Sequence, residues 1–123
     1  MVIGIGTDIV QIERIKHAFE RQGERFAQRI LCASELRLFY EKEQSIPYLA
    51  KRFAAKEAAS KALGTGIGAI SWQDMNISND SNGAPILTLT GSAKEKMSAL
   101  GASQVSISLS DERDYAVAFV VLS

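Results

Sequence analysis

The chain has 123 residues, 46% hydrophobic and 23% charged, which is the composition of one globular domain long enough to bury a hydrophobic core. Fourteen basic and fourteen acidic residues leave no net charge, so the composition favours neither nucleic acid nor an anionic membrane, and no apolar run approaches the roughly 18 residues of a membrane helix. A lone cysteine excludes an internal disulfide and the N-terminus lacks a secretory signal pattern, so we expect a single soluble, cytoplasmic domain over residues 1–123.

The first half of the chain is predicted to form one strand followed by four helices. VIGIGTDIV alternates glycine with mostly β-branched residues and predicts a strand, and IERIKHAFERQ has a helical period that stops at Gly23. ERFAQRIL predicts a short second helix, and SELRLFYEKE predicts a third with Ser34 as its N-cap. Pro47 opens a longer fourth helix that ends before Gly64.

The second half is predicted to contain four strands and one helix. WQDMNIS and PILTLT predict strands joined by the turn NDSNGA, and SAKEKMSALG predicts a helix with a Ser92 to Glu95 capping box. QVSISLS and YAVAFVVL predict a hairpin joined by DERD. This order indicates an α+β fold with a mostly antiparallel sheet packed with helices. Because the last strand is apolar throughout, we expect both of its faces to be covered, by the chain itself or by another subunit.

The segment RFAAKEAASKALGTGIG, residues 52–68, combines a closely packing helix face with charged residues. At about 100° per residue its alanines form one arc, while Arg52, Lys56, Glu57 and Lys61 fall on the other. Glu57 and Lys61, one turn apart, suit either a solvated ion pair or a phosphate site that the glycines leave accessible. A helix C-terminus carries partial negative charge, so a phosphate here would depend on the basic side chains. The alanine arc comprises Ala54, Ala55, Ala58, Ala59 and Ala62.

A second carboxylate, Asp8, lies in GIGTDIV, where Gly4 and Gly6 share its face of a strand. With no side chains at those positions, we expect space beside the carboxylate. A second interpretation makes Asp8 the N-cap of a helix that begins near Ile9. If Asp8 and Glu57 converge, they predict a magnesium and phosphate site, because Mg²⁺ takes one or two carboxylates and completes its coordination with water and phosphate oxygens.

Two long motifs carry a family resemblance. GIGTDIVQIERI and RFAAKEAASKALGTGI resemble the signature motifs of the holo-[acyl-carrier-protein] synthases, the small 4'-phosphopantetheinyl transferases, and SISLSDERDYAVAFVVL is similar too. The resemblance covers essentially the whole chain. It implies the fold of that family, a homotrimer with active sites between subunits, and transfer of 4'-phosphopantetheine from coenzyme A to a serine of apo-acyl carrier protein. Adenosine 3',5'-bisphosphate would be the second product.

The resemblance also implies roles for individual residues. Asp8 and Glu57 match the family's magnesium ligands, and Lys61 matches a lysine that contacts the pyrophosphate, so these three are the implied catalytic residues. Asp111 departs from those members that carry a histidine at its position. The residues that match parts of the coenzyme A site are Arg52, Lys61, Gly64, Asn82, Gly83 and Pro85.

Carrier-protein docking is implied for the first helix, because acyl carrier proteins are acidic and the family binds them there. On one continuous helix Arg14, Arg21 and Arg25 would lie within about 40° of one another, with Arg29 one turn later and Phe26 between them, whereas a break at Gly23 would disrupt this register. The glutamates in the same stretch make an ordinary solvated face the alternative interpretation.

Two other functions compete with transfer. A metal-dependent nuclease could use Asp, Glu and Lys, but the spacing of its lysine usually differs and the neutral charge does not favour a duplex-binding surface. A non-catalytic coenzyme A or carrier-protein binding module would need the basic residues and would have no use for paired carboxylates. We therefore expect neither nucleic acid nor a membrane among the partners.

Overall fold

The computed structural model describes residues 1–123 and contains five α-helices and five strands. None of the helices has both the length and the apolar character needed to cross a lipid bilayer. The elements in chain order are β1 (Gly4–Gln11), α1 (Ile12–Gln22), α2 (Glu24–Ile30), α3 (Ala33–Glu41), α4 (Ile46–Ala62), a 3₁₀ helix (Trp72–Asp74), β2 (Met75–Asn79), β3 (Pro85–Leu89), α5 (Gly91–Ala99), β4 (Val105–Asp111) and β5 (Tyr115–Leu122).

All strand pairs are antiparallel, which confirms the predicted α+β class, but the strands form two sheets instead of one. The larger sheet has the order β1-β5-β4, and β2 and β3 form a separate hairpin. In the larger sheet Asp8 pairs with Ala118, so the first and last strands of the chain are neighbours. The C-terminal strand is therefore the centre of the sheet.

Helix α4 is the core of the domain and packs on the inner face of the larger sheet. All five alanines of its predicted arc are buried, as are Ala116, Ala118, Val120 and Leu122 on the facing side of β5. The other arc does not face solvent as a whole, because Arg52, Lys56 and Ser60 are also buried. A solvated face, one of the two interpretations of this arc, is therefore wrong at Arg52 and Lys56. A helix that is surrounded by other elements has no solvent-exposed face for its polar residues.

Strand β1 and helix α4 approach so closely that their backbones touch. A Cβ atom on Gly6 would overlap the carbonyl oxygen of Ala58, and one on Gly4 would overlap that of Ala62. The prediction that these glycines leave space beside Asp8 is therefore wrong, because the helix backbone fills that space. The absence of side chains instead sets the distance between the strand and the helix.

A buried ion pair joins α4 to the neighbouring elements. The ammonium of Lys56 lies 2.6 Å from Oε1 of Glu35, and neither side chain is exposed to solvent. The same carboxylate oxygen accepts a hydrogen bond from the backbone N–H of Cys32, the N-cap of α3. Helix α3 therefore begins at Ala33, and the prediction of Ser34 as its N-cap is wrong.

Two further differences from the sequence expectations concern element ends. The predicted strand WQDMNIS starts with the 3₁₀ helix, and α5 begins after Thr90, so Ser92 lies inside the helix and is not its cap. Only one face of β5 is covered within the chain, because Tyr115 and Phe119 on its outer face are 47% and 44% exposed.

Candidate active site

Three predicted residues, Asp8, Glu57 and Lys61, converge where β1 crosses α4. The ammonium of Lys61 donates to Oδ1 of Asp8 at 3.1 Å and to the carbonyl oxygen of Thr7 at 2.9 Å. Strand β1 continues to Gln11, so Asp8 does not cap α1 and the capping interpretation is wrong. Lys61 makes its ion pair with Asp8 rather than with Glu57, which also removes the solvated Glu57–Lys61 pair as an explanation of the motif.

The electrostatics of the site centre on Glu57. Burial raises the pKa of its carboxyl above the ordinary value, the charge of Asp8 raises it further, and Lys61 acts in the opposite direction. A second carboxylate beside the buried Glu57 makes the pair a candidate site for a cation. No group of three His, Cys, Asp or Glu side chains lies close enough to bind a metal. Two carboxylates alone fit Mg²⁺, which completes its shell with water and phosphate, and do not fit a structural zinc site.

A cavity of about 520 Å³ opens beside the two carboxylates. Its apolar wall is formed by residues of β1, α1, α2 and α4, and basic side chains of α1 stand at its edge. Of the predicted docking residues, the lining includes Arg14, Arg21 and Phe26 and does not include Arg25 or Arg29. The full lining is Asp8, Ile9, Val10, Arg14, Ile15, His17, Ala18, Arg21, Phe26, Phe53 and Glu57.

Helix α1 ends at Gln22, and Gly23, with a φ of 67°, separates it from α2. The four arginines therefore do not share one helix face. Arg29 on α2 donates to the side-chain oxygen of Gln22 at 2.7 Å. The predicted stop of the first helix at Gly23 is therefore confirmed, and the shared face that a continuous helix would give these residues does not form. Only the arginines of α1 are adjacent to the carboxylates.

A second group of predicted residues lies around Arg52 and the turn between β2 and β3. Arg52 donates to Oδ1 of Asn79 at 3.2 Å, and the amide nitrogen of Asn79 donates to the carbonyl oxygen of Gly83 at 3.0 Å. The guanidinium lies 4.5 Å from the ring centroid of Tyr48, and its Nε is buried without a hydrogen-bond partner. This arrangement leaves a buried cation with an unused donor, which an anionic ligand could satisfy.

Sequence reasoning missed Tyr48 and Asn79 in this group. Asn79 lies in the turn-rich segment, where the sequence predicted only a turn. The position of Tyr48 near the start of α4 did not indicate a role in binding. Asn82, Gly83 and Pro85 do lie together in the β2–β3 turn, where Oδ1 of Asp80 accepts from the backbone N–H of Asn82 at 2.8 Å.

Gly64 lies where α4 ends. Its φ of 77° is left-handed, and a Cβ atom there would meet nothing within 4 Å. The backbone N–H groups of Thr65 and Gly66 donate to the carbonyl oxygen of Ser60, which satisfies the end of the helix. Gly64 is therefore required by the backbone conformation and leaves open space beside the helix end. Asp111 lies elsewhere, 3.3 Å from the ammonium of Lys51.

Comparison with known proteins assigns this arrangement to a class. Residues 4–120 match the 4'-phosphopantetheinyl transferase superfamily. The holo-[acyl-carrier-protein] synthase of Halorhodospira halophila is 54% identical over 123 residues, 99% of this chain and 98% of that protein. The crystal structure of the Neisseria meningitidis synthase superposes with a TM-score of 0.93 at 45% identity, covering 100% of this chain and 99% of the other.

The Helicobacter pylori synthase, crystallised in complex with coenzyme A, gives a TM-score of 0.85 at 40% identity over 97% of this chain and 99% of the other. The chain therefore belongs to the holo-[acyl-carrier-protein] synthase family of the 4'-phosphopantetheinyl transferases. It is an enzyme of the transferase class.

Replacing Glu57 by Gln should stabilise the fold at neutral pH. The raised pKa means that the folded state binds the Glu57 proton more tightly than the unfolded state. The side chain therefore contributes to stability below its ordinary pKa, where it is protonated, and this contribution is lost as the pH rises through the raised pKa. Thermal unfolding without divalent cations should give Glu57→Gln a higher Tm than the parent at pH 7. The difference should shrink as pH falls below the ordinary range of a glutamate. A lower Tm at pH 7 would contradict the electrostatic description of the site.

Proposed function

We propose that the protein transfers 4'-phosphopantetheine from coenzyme A to a serine of apo-acyl carrier protein in a Mg²⁺-dependent reaction. Adenosine 3',5'-bisphosphate is released, and residues 1–123 act as a single domain. The observation that carries this proposal is the convergence of Asp8, Glu57 and Lys61, with the two carboxylates lining the cavity. The family membership supplies the reaction class, and the coenzyme A in the Helicobacter pylori structure supports the donor substrate.

The metal ligands in this proposal are the carboxylates of Asp8 and Glu57. Burial and the charge of Asp8 raise the pKa of Glu57, and a cation held by the two carboxylates would offset both effects. When bound, Mg²⁺ would supply charge neutralisation for the diphosphate of coenzyme A. The remaining steps of the reaction are assigned to side chains of the protein.

In the reaction the serine oxygen of the carrier protein forms a bond to the phosphorus that bears pantetheine. The bond from that phosphorus to the oxygen of the second phosphate breaks, and the bisphosphate leaves. Lys61 places positive charge where negative charge grows on the diphosphate. The serine proton passes either to Glu57 or to water.

Coenzyme A binding is proposed for the group around Arg52 and the end of α4. Arg52 is buried, fixed against Tyr48 and Asn79, and retains an unsatisfied Nε donor, all of which suit a phosphate ligand. The β2–β3 turn with Asn82, Gly83 and Pro85, together with the open backbone at Gly64, completes the proposed site.

Intact-mass measurement tests the proposed transfer. Apo-acyl carrier protein incubated with the enzyme, coenzyme A and Mg²⁺ should gain the mass of one phosphopantetheine. Asp8→Asn, which removes one anionic ligand at almost constant volume, should lower the rate by on the order of 100-fold or more at limiting Mg²⁺. Lys61→Ala should remain slow at saturating Mg²⁺, because its charge acts on the phosphate.

Lys94→Ala, a change on the exposed face of α5, is the matched control and should transfer at the parent rate. Unchanged rates in both site variants would remove these residues from the mechanism. A parent protein that binds coenzyme A or the carrier protein without changing the carrier's mass would favour the non-catalytic binding module.

The carrier protein is proposed to dock on the α1 edge of the cavity. Arg14 and Arg21 are exposed there beside the apolar side chains of Ala18 and Phe26, adjacent to the carboxylates. Guanidinium groups bind carboxylates in bidentate pairs, and opposite potentials accelerate encounter with an acidic partner. Arg25 and Arg29 lie outside the cavity and contribute only to the longer-range attraction.

Charge reversal tests this docking surface. Arg14→Glu with Arg21→Glu should raise the KM for the carrier protein by about tenfold or more, since each lost charged contact is worth more than 1 kcal/mol. The KM for coenzyme A should stay nearly constant. Arg25→Glu with Arg29→Glu makes the same change in charge outside the cavity and should have a smaller effect. Equal effects of the two pairs would mean that net charge, and not the cavity edge, determines docking.

We also propose a homotrimer. On the outer face of the β1-β5-β4 sheet, β1 and β5 carry Ile5, Ile9 and Phe119, which are 61%, 64% and 44% exposed, with Val117 and Val121 between them, whereas β4 carries serines there. An exposed apolar patch of this kind on two neighbouring strands is typical of a surface that another subunit covers. A cyclic arrangement would close without leaving the face exposed.

Phe119→Glu should dissociate the assembly, because it would bury an unpaired charge in the interface. Light scattering at micromolar concentration should give a trimer mass for the parent and a smaller mass for the variant, with reduced transfer. Ile86→Glu, at a similarly exposed residue on β3, is the control and should leave the mass unchanged. A monomer mass for a fully active parent would contradict an active site shared between subunits.

A further inference from the structure

The buried Lys56–Glu35 pair occupies the position next to Glu57 on α4, yet the reaction described above does not use it. Lys56 donates to Glu35 at 2.6 Å and to two backbone carbonyl oxygens, those of Ile30 at 2.6 Å and Trp72 at 3.2 Å. A buried ion pair is seldom the most stable filling of a core, because apolar residues of the same volume often do as well or better. Its geometry therefore calls for a role beyond stability.

The two carbonyl groups that Lys56 binds belong to the segments behind the cavity wall. Ile30 is the last residue of α2, the seven-residue helix that carries Phe26. The ring of Trp72 lies 5.3 Å from that of Phe53, and Phe53 in turn lies 6.4 Å from Phe26. Both phenylalanines line the cavity beside Glu57. One ammonium group thus holds the backbones that support the aromatic wall.

Helix α2 depends on such anchoring because it is short. A helix of this length is not stable by itself, so its position is determined by its tertiary contacts. Besides Lys56, its C-terminal end is held by Gln73, whose side-chain amide donates to the carbonyl oxygens of Gln28, Arg29 and Leu31. Glu35 fixes the other side of the ammonium, since its second oxygen accepts from the backbone N–H of Ile77 at 2.9 Å.

We propose that Lys56 and Glu35 are positioning residues for the carrier-protein substrate: their buried pair holds α2 and Trp72 against α4 and so places the Phe26–Phe53 wall beside Glu57. The pair touches no substrate. Its role as a substrate-positioning device rests on the proposed function, whereas its control of α2 does not. A wall displaced by about 1 Å would weaken productive docking, because small misplacements far from the chemistry can cost on the order of 100-fold.

The test compares a neutral pair with a matched ion-pair deletion on the same helix. Lys56→Met with Glu35→Gln removes both buried charges at similar volume. Lys51→Met removes the partly exposed Lys51–Asp111 pair, which does not contact α2. The neutral pair should raise the KM for apo-acyl carrier protein by about tenfold and leave that for coenzyme A within about twofold, whereas Lys51→Met should change neither.

Two readouts do not require activity. Amide hydrogen exchange across residues 24–30 should accelerate in the neutral pair and not in Lys51→Met, and the emission of Trp72, the only tryptophan, should shift. Unchanged exchange in a folded neutral pair would overturn the proposal, as would an equal rise in both KM values. If the parent shows no transfer, the proposed function fails and the exchange result alone decides whether the pair controls α2.

A second variant covers the case in which the neutral pair does not fold. Gln73→Leu removes the exposed anchor at the same end of α2 without touching a buried charge. It should raise the KM for the carrier protein selectively and accelerate exchange over residues 24–30. Accelerated exchange with an unchanged KM for the carrier protein would overturn the proposal, because the position of α2 would then not affect docking.

Discussion

The close packing of β1 on α4 is the constraint on which both the fold and the site depend. Gly4 and Gly6 on the strand face the carbonyl oxygens of Ala58 and Ala62 on the helix, and any Cβ atom on either glycine would separate the two elements. Only at this short distance do Asp8 of the strand and the charged residues of the helix face each other. The same residue types that fill the core also determine the spacing of the chemical groups, so packing and function cannot be varied independently here.

Helix α4 places three basic residues in three different environments, and each environment determines what the charge does. Arg52 is buried against Tyr48 with a donor unused, Lys56 is neutralised inside the core by Glu35, and Lys61 is half exposed and reaches Asp8. A charge that is buried and fully paired can only hold structure, because breaking the pair leaves its partner unsolvated. A charge at the edge of a cavity remains available to a ligand.

Two features of the protein lower the stability of the isolated chain. Burial and the neighbouring Asp8 both disfavour the charge of Glu57, and the outer face of the larger sheet exposes Ile5, Ile9 and Phe119. Such features are typical of places where a protein binds something else, a cation in the first case and another chain in the second. The relatives with 54% identity and the superposed structure of the Neisseria meningitidis synthase place the chain in one enzyme family.

The sequence by itself determined the elements with strong periodicity and the identity of the central charged residues. Helix α1 and strand β5 have the predicted bounds, and the alanine arc of α4 is buried as expected, because these patterns depend on local geometry alone. Only the tertiary structure decided that Lys56 is buried, since its partner Glu35 lies 21 residues away and a helical angle does not distinguish solvent from a second layer of protein. The break of the first helix at Gly23 follows from the local pattern, whereas the hydrogen bond of Arg52 to Asn79 depends on contacts between elements, which no local pattern encodes.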